Sequence, residues 1–476
     1  MKSLHQNWKT ATCAFALTIA LPSTTLAQNA EEMWESLQNT LGQIHLVLEA
    51  EESRAQGAGH VYTNVSLSHS DPDFEGLAIR FPAITVTGNV MNLPAEYTLI
   101  DEYGGGEADT LATVQTLNNT ITHSIANDGA DVWTFNAERL DVTGTQHDEF
   151  TTKASWQNLN ADIRATATLL SMTYQHQSMN AEMNGRPDRS REETKSVNIG
   201  PMNVRLHMEN VTFDENFLDS IDNGGQAGLE YRYDHLQSQF QDSFTQTMSQ
   251  SQNVEGTVIL TRNGLQAEMQ NGQAEFEVHT DGTRVSGELD ALTLNLTLPL
   301  MASNNTQNFF FSQKIDGLTL NGTEGVLKQE GVDNAAQIAR LLEGPWNLDV
   351  NLDAQLRLDE SFHTTQNAEA TTRLERFSTS NTLNSPTTEL GISFEASAQY
   401  DSPVAFQDMD NISPATGSGE LAFTNLQALL DTLPQDVAVM VGMMAMTFGE
   451  RDGNTIRYTF EVINEQLTIN GQRLPF

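Results

Sequence analysis

Cysteine is all but missing from this chain. Its 476 residues hold one, Cys13, inside an early apolar run, so no disulfide framework is available to the rest. Basic residues are scarce as well: 24 Lys and Arg stand against 63 Asp and Glu, a formal charge of −39. Such a chain repels phosphate backbones and anionic headgroups over a Debye length, which argues against nucleic-acid partners. The composition is read as a soluble surface, with abundant Asn, Gln, Thr and Ser suited to the solvent face of sheets. Several signatures of chemistry are also absent. There is no His-Glu-x-x-His zinc pair, no Gly-x-Ser-x-Gly elbow and no Gly-rich phosphate loop between a strand and a helix. Asp408-x-Asp410 approaches a calcium loop, but Ser413 stands where the sharp turn needs Gly and the closing Glu is missing. His45, His60 and His69 show no second ligand at metal spacing. No metal or cofactor is expected.

The first residues are read as an export signal. Lys2 and Lys9 precede an apolar run from Ala11 to Leu21; Pro22 breaks it, and Thr25-Leu26-Ala27 offers a small-x-small site. The run is about a dozen residues, short of the ~20 that span a bilayer. Cleavage near Ala27 would give a periplasmic chain without cysteine or a transmembrane segment, carrying 22 Lys and Arg against 63 acids.

The dominant pattern in what remains is alternation with period two. Leu292, Leu294, Leu296 and Leu298 alternate with Thr and Asn, and Leu348 to Leu358 alternate with Asp, Asn, Gln and Arg. Ile392 to Tyr400 and Ile456 to Val462 do the same. Each run describes a strand with one apolar and one wet face, which favours antiparallel sheet. Asn-Gly and Asp-Gly pairs at 128, 263, 271, 281, 321, 452 and 470 mark expected turns. Residues 258–278 read as a meander with turns at Asn263-Gly264 and Asn271-Gly272.

Helices are few. One is expected over 29–40, with Met33, Trp34, Leu37 and Leu41 on one side and Gly42 as its stop, followed by a strand at Ile44–Leu48. Asp333 can cap a second over 334–343, with Ile338, Leu341 and Leu342 inward. Residues 424–432 form a third, and Val437–Phe448 a Met-rich fourth. Val437, Met440, Val441 and Met444 follow i, i+3, i+4, i+7 spacing and are expected to be its buried stripe, either plugging the sheet core or lining an apolar ligand site.

The fold class expected is mainly β: long, twisted, meander-rich antiparallel sheets, curved around an apolar groove or closed on a packed core, with a few short helices. Residues 1–27 are the leader. Residues 28–476 are the mature region, with two halves meeting within 215–250.

The C-terminal residues carry a resemblance. Leu426-Gln427-Ala428-Leu429-Leu430-Asp431-Thr432-Leu433-Pro434 leads into Val441-Gly442-Met443-Met444-Ala445-Met446; Tyr458-Thr459-Phe460-Glu461-Val462 and Leu467-Thr468-Ile469-Asn470-Gly471-Gln472-Arg473-Leu474-Pro475 follow. This, with the N-terminal order of leader, Trp34 helix, Gly42 and strands, resembles the exported alphaproteobacterial family known as domain of unknown function 2125. The resemblance implies a periplasmic, sheet-rich protein and no reaction. The Asn-Gly-Gln-x-Leu-Pro ending is more weakly similar to envelope proteins whose long curved sheets hold lipids. Three functions stay open at this stage. One is non-enzymatic binding of a lipid or other apolar ligand on the sheet. Another is a structural module that docks an envelope protein partner. The last is a hydrolase whose residues converge from distant strands.

Overall fold

Among the described residues of the computed structural model the chain is mainly β, with seven short helices. The structure describes residues 30–42, 46–69, 77–101, 109–146, 150–166, 168–185, 192–211, 217–280, 282–332, 334–365, 367–411, 414–431, 433, 435–463 and 466–473. The expected leader, Asp281, Asp333 and much of the charged loop near 190 lie outside them, as do the side chains of Asp436, Met444 and Met446. Two compact units divide at Ser243/Phe244.

Unit 1 starts with helix α1 (Ala30–Gly42), then β1 (Leu46–Gln56), β2 (Gly59–His69), β3 (Leu77–Thr87), β4 (Val90–Asn92), β5 (Glu96–Asp101), β6 (Asp109–Leu117) and β7 (Thr120–Ile125). It continues through β8 (Asp131–Gln146), β9 (Phe150–Ala165), β10 (Leu169–His176), β11 (Ser178–Gly185), β12 (Glu193–Ile199), β13 (Met202–Glu209), helix α2 (Phe217–Asp222) and β14 (Gln226–Gln241). The pairings form one antiparallel meander. Short strands lie end to end and act as single long ones: β4 with β5, β6 with β7, β10 with β11, and β12 with β13.

The breaks between those short strands fall on one line across the sheet. The same line crosses the unbroken strands at Glu51, Asn64, Pro82, Glu138 and Asn158, which drop out of the ladder. Ala50 pairs Val65 and Glu52 pairs Thr63; Ala137 pairs Leu159 and Arg139 pairs Gln157. Register is kept on both sides, so neighbouring strands kink together. Each kink adds one residue to the strand, as a β-bulge does, and turns it a corner. The inward alternation slips by one there. In β3 the buried residues run Ile79, Phe81, then Ile84, Val86; in β8 they run Trp133, Ala137, then Leu140, Val142. Asn64, Asn118 and Asn158 take the left-handed conformation at this crease, with φ of 49°, 50° and 51°. Asn accepts that region better than most residues. Each also donates its amide across the crease: Asn64 to Glu51 (2.7 Å), Asn118 to Glu138 (2.5 Å), Asn158 to Gln177.

The core of unit 1 lies on the inner face of this bent sheet, under α1. Met33 and Leu41 are buried there, Trp34 stacks on Tyr62 with ring centroids 3.9 Å apart, and Gln38 donates to the Leu48 carbonyl at 2.7 Å. The expected N-terminal helix is present, one to two residues from its expected bounds; the first strand is also present but runs on to Gln56, eight residues past its expected end.

Unit 2 comprises β15 (Thr245–Thr261), β16 (Gly264–Asn271), β17 (Ala274–Thr280), β18 (Thr283–Leu289), β19 (Ala291–Leu298), β20 (Gln307–Asn321), β21 (Trp346–Leu358), β22 (Thr372–Ser385), β23 (Leu390–Ala405), β24 (Thr416–Thr424), β25 (Glu450–Asp452), β26 (Thr455–Ile463), β27 (Gln466–Ile469) and β28 (Gln472–Arg473). Its helices are α3 (Thr323–Gln329), α4 (Ala335–Leu342), α5 (Ala368–Thr371), α6 (Leu426–Leu430) and α7 (Gln435–Phe448), with a 3-10 turn over Phe406–Asn411. It too is an antiparallel meander, with β16/β17 and β18/β19 joined end to end.

Two expected turns are corrected here. Asn263-Gly264 closes the β15–β16 hairpin, but Asn271-Gly272 does not reverse the chain. β15 is 17 residues long and pairs β16 along one half and β17 along the other, with Gly272 N–H bound to the Gln252 carbonyl at 2.9 Å. Asn321-Gly322 opens α3 instead of a hairpin. In α4 the buried residues are Ala335 and Ala339, while Ile338, Leu341 and Leu342 are half-buried.

Asn158→Val should destabilise unit 1 by about 1–2 kcal/mol, because a β-branched side chain clashes in the left-handed region. Asn158→Gly should cost less. Urea denaturation of the two variants checks the order.

Candidate functional site

The same one-sided alternation meets different fates in the two units. In unit 1 the inner face is packed. Trp133, Tyr174, Met91, Ile84 and Val65 are each at most 2 % exposed. Between α1 and the sheet one cavity of about 60 Å³ remains, lined by apolar side chains including Leu37, Leu41, Leu48, Phe81, Met91 and Trp133. That is far below the several hundred Å³ of ligand pockets. A smaller open patch lies past the crease, where the cross-strand row Trp156, Met179, Ile199 and Leu236 is half-buried.

Two pairs of buried polar side chains lie inside unit 1. His123 Nε2 lies 2.7 Å from Asp131 Oδ1, and its ring packs on Trp133 with centroids 4.3 Å apart. This is the buried acid and histidine that a hydrolase would need. But the two side chains are 2 % and 1 % exposed, and a general base must reach a substrate proton. Tyr174 Oη lies 2.9 Å from His176 Nδ1, and burial pushes the His176 pKa down to about 4.

In unit 2 the apolar face is open. Strand register sets its inward residues in rows. One row runs Ala267, Leu296, Phe311, Leu352, Thr379, Ala396, Gly419, Phe460. The next runs Met269, Leu294, Gln313, Val350, Asn381, Phe394, Leu421, Tyr458, and the third Leu292, Ile315, Leu348, Leu383, Ile392, Phe423, Ile456. Every apolar side chain in these rows is half-buried or exposed, Phe394 to 39 %. No charged residue stands in them. The opposite face carries Thr293, Asn295, Lys314, Asp349, Asn351, Ser380, Glu395 and Glu420.

Both margins of this floor are covered. At one, Trp346, Ser385 and Leu390 are buried near α4 and α6, and Trp346 Nε1 donates to the Leu341 carbonyl at 3.0 Å. At the other, Leu356, Leu358, Leu374 and Val404 are buried, and the segment after β19 is tied down by Ala302 N–H to Ser361 Oγ at 2.8 Å and Ser303 N–H to the Leu358 carbonyl at 3.0 Å. Among the described residues no segment covers the floor between them. From strand geometry the three rows extend about 14 Å along the strands and, from β16 to β26, about 34 Å across them. The area, about 500 Å², is near the upper end of apolar patches on monomers, which are often functional.

Of the stripe expected to be buried on α7, Met440 is exposed, and the side chain of Met444 lies outside the described residues. Met440 is 53 % exposed, with Val439 at 52 % and Met443 at 55 %; Val437 and Val441 are half-buried. Among the described residues of the helix Ala445 is the buried one, at 4 % exposed, Gly442 lies against Leu430, and Gly449, just past the helix end, has no room for a side chain beside Ile456. The sequence had singled out none of the floor residues as a site, although its alternating Leu runs contain many of them.

Asp408 is exposed, and among the described residues no group of three or more His, Cys, Asp and Glu stands where it could hold a metal ion. No described helix is long and apolar enough to cross a membrane.

The depressed His176 pKa has a sign. Between about pH 6.5 and 4 the unfolded chain binds a proton that the folded chain does not, so stability should fall as pH falls through that window and be unaffected by this group above it. Thermal melts of wild type and His176→Phe across pH 4–8 should show a difference that changes only there. Compared with known proteins, the chain matches no family model and no curated protein.

Proposed function

We propose that this is an exported, non-catalytic envelope protein whose second unit binds a lipid or similar apolar ligand on its open sheet face. One observation carries the reading: a charge-free apolar floor, continuous across eight strands from β16 to β26 and walled at both margins, that no described part of the chain covers. Apolar surface left in water costs about 25 cal/mol per Å², and a ligand that covers it recovers that energy, less the cost of association. The leader-like N-terminus and the resemblance of the C-terminal residues to an exported family agree with the location. The absence of a pocket with convergent reactive groups among the described residues leaves catalysis without support.

Native mass spectrometry of protein purified from its own envelope should show added mass that solvent extraction removes. Bare polypeptide throughout, with no binding of a hydrophobic dye, would sink the reading. Val350→Asp should abolish binding with little loss of stability, because position 350 is half-buried and flanked by Gln313 and Asn381. The matching change in unit 1, Ile84→Asp, should prevent folding, since it traps a lone carboxylate at a position 2 % exposed.

The exposed Val439, Met440 and Met443 on α7 favour a second reading, docking of an envelope protein. Cross-linking in intact cells should then yield one stable partner, lost in Met440→Glu; recovery of the protein alone counts against it.

A further inference from the structure

The proportions of the floor say more about its occupant. We propose that unit 2 takes extended acyl chains lying across the strands, more than one to the site, and not a single compact apolar molecule; this rests on the binding reading above. The first support is shape. About 34 Å across the strands against about 14 Å along them is a strip, wider than one polymethylene chain and far longer than a fused-ring molecule. Its long direction is open, whereas the buried rows at Trp346 and Leu390 on one side and Leu356 and Leu374 on the other close the short direction.

The second support is chemistry along the strip. Apart from Gln313, Thr379, Asn381, Gly419 and Tyr458, its side chains change little from strand to strand, being Leu, Ile, Val, Phe, Ala and Met, so there is no single subsite deep enough to enclose a compact ligand. The polar interruptions are few. Asn381 Nδ2 donates to Thr379 Oγ1 at 2.9 Å, and Thr379 Oγ1 donates to the Asn351 carbonyl at 2.8 Å, so these donors are already engaged within the chain. An ionised headgroup finds no counter-charge in any of the three rows. It must sit beyond the floor, which leaves the hydrocarbon part of the lipid as what the floor holds.

The third support is that the neighbouring backbone does not compete. The strands beneath the rows are hydrogen-bonded to neighbours on both sides from β16 to β24. Only side-chain surface is offered there, which suits chains without hydrogen-bonding groups.

Phe311 and Phe460 stand in one row, five strand spacings or about 24 Å apart. p-Benzoylphenylalanine replaces Phe at either position with little change of shape. The full-length chain carrying it at 311, at 460, or at both would be irradiated with vesicles of dioleoyl phosphatidylethanolamine and weighed intact, with wild-type melting required of each variant. The expected result is one lipid adduct at either single position and two adducts on one molecule of the doubly substituted chain. Labelling at only one position, or never more than one adduct on the double variant, overturns the extended, multi-chain arrangement while leaving apolar binding intact. No labelling at either position, with no dye binding, overturns both.

Discussion

A strand that alternates apolar and polar side chains makes a sheet with one face that water disfavours, and everything else in this molecule answers to that face. Unit 1 covers it from within. The strands bend at a common crease, α1 lies across the inner side, and Trp34, Tyr62, Met91 and Trp133 close together. Unit 2 has strands of the same composition and puts its helices and loops only at the margins. The difference between a packed core and an open floor is therefore a matter of the crease in the strands and of where a few short helices fall.

The crease shows how a long strand can bend without losing its neighbours. A bulge in one strand alone would shift its register and send every side chain beyond it to the wrong face. Here neighbouring strands take the extra residue at the same place, so Ala50–Val65 and Glu52–Thr63 belong to one unbroken register. The left-handed asparagines make the corner possible, and their side-chain amides tie it to the next strand.

Much of this was legible from residues alone. The alternating runs at 292–298, 348–358 and 456–462 are strands, and the helix carrying Trp34 is where its periodicity put it. The crease was not legible, because a turn and a corner look alike over a few residues. Asn263-Gly264 and Asn271-Gly272 are the same dipeptide in similar surroundings, and only the length of β15 running past the second decides that the chain continues. The open floor was hidden for a related reason. Leu294 in an open row and Phe81 in a packed one sit in equally alternating sequence, and what distinguishes them is α1, which comes from far away along the chain. On α7, apolarity ranked Met440 and Met443 above Ala445, whereas the structure buries Ala445 and leaves the two Met side chains exposed.

Because unit 2 is a meander whose successive strands add side by side, the extent of its floor is a count of strands. Inserting or removing one hairpin changes that count by two, about 10 Å. The fold thus separates two dimensions that most binding sites couple. Its cross-section is set by residues along each strand, and its capacity by how many times the chain turns back, a quantity that gene duplication can adjust in whole steps.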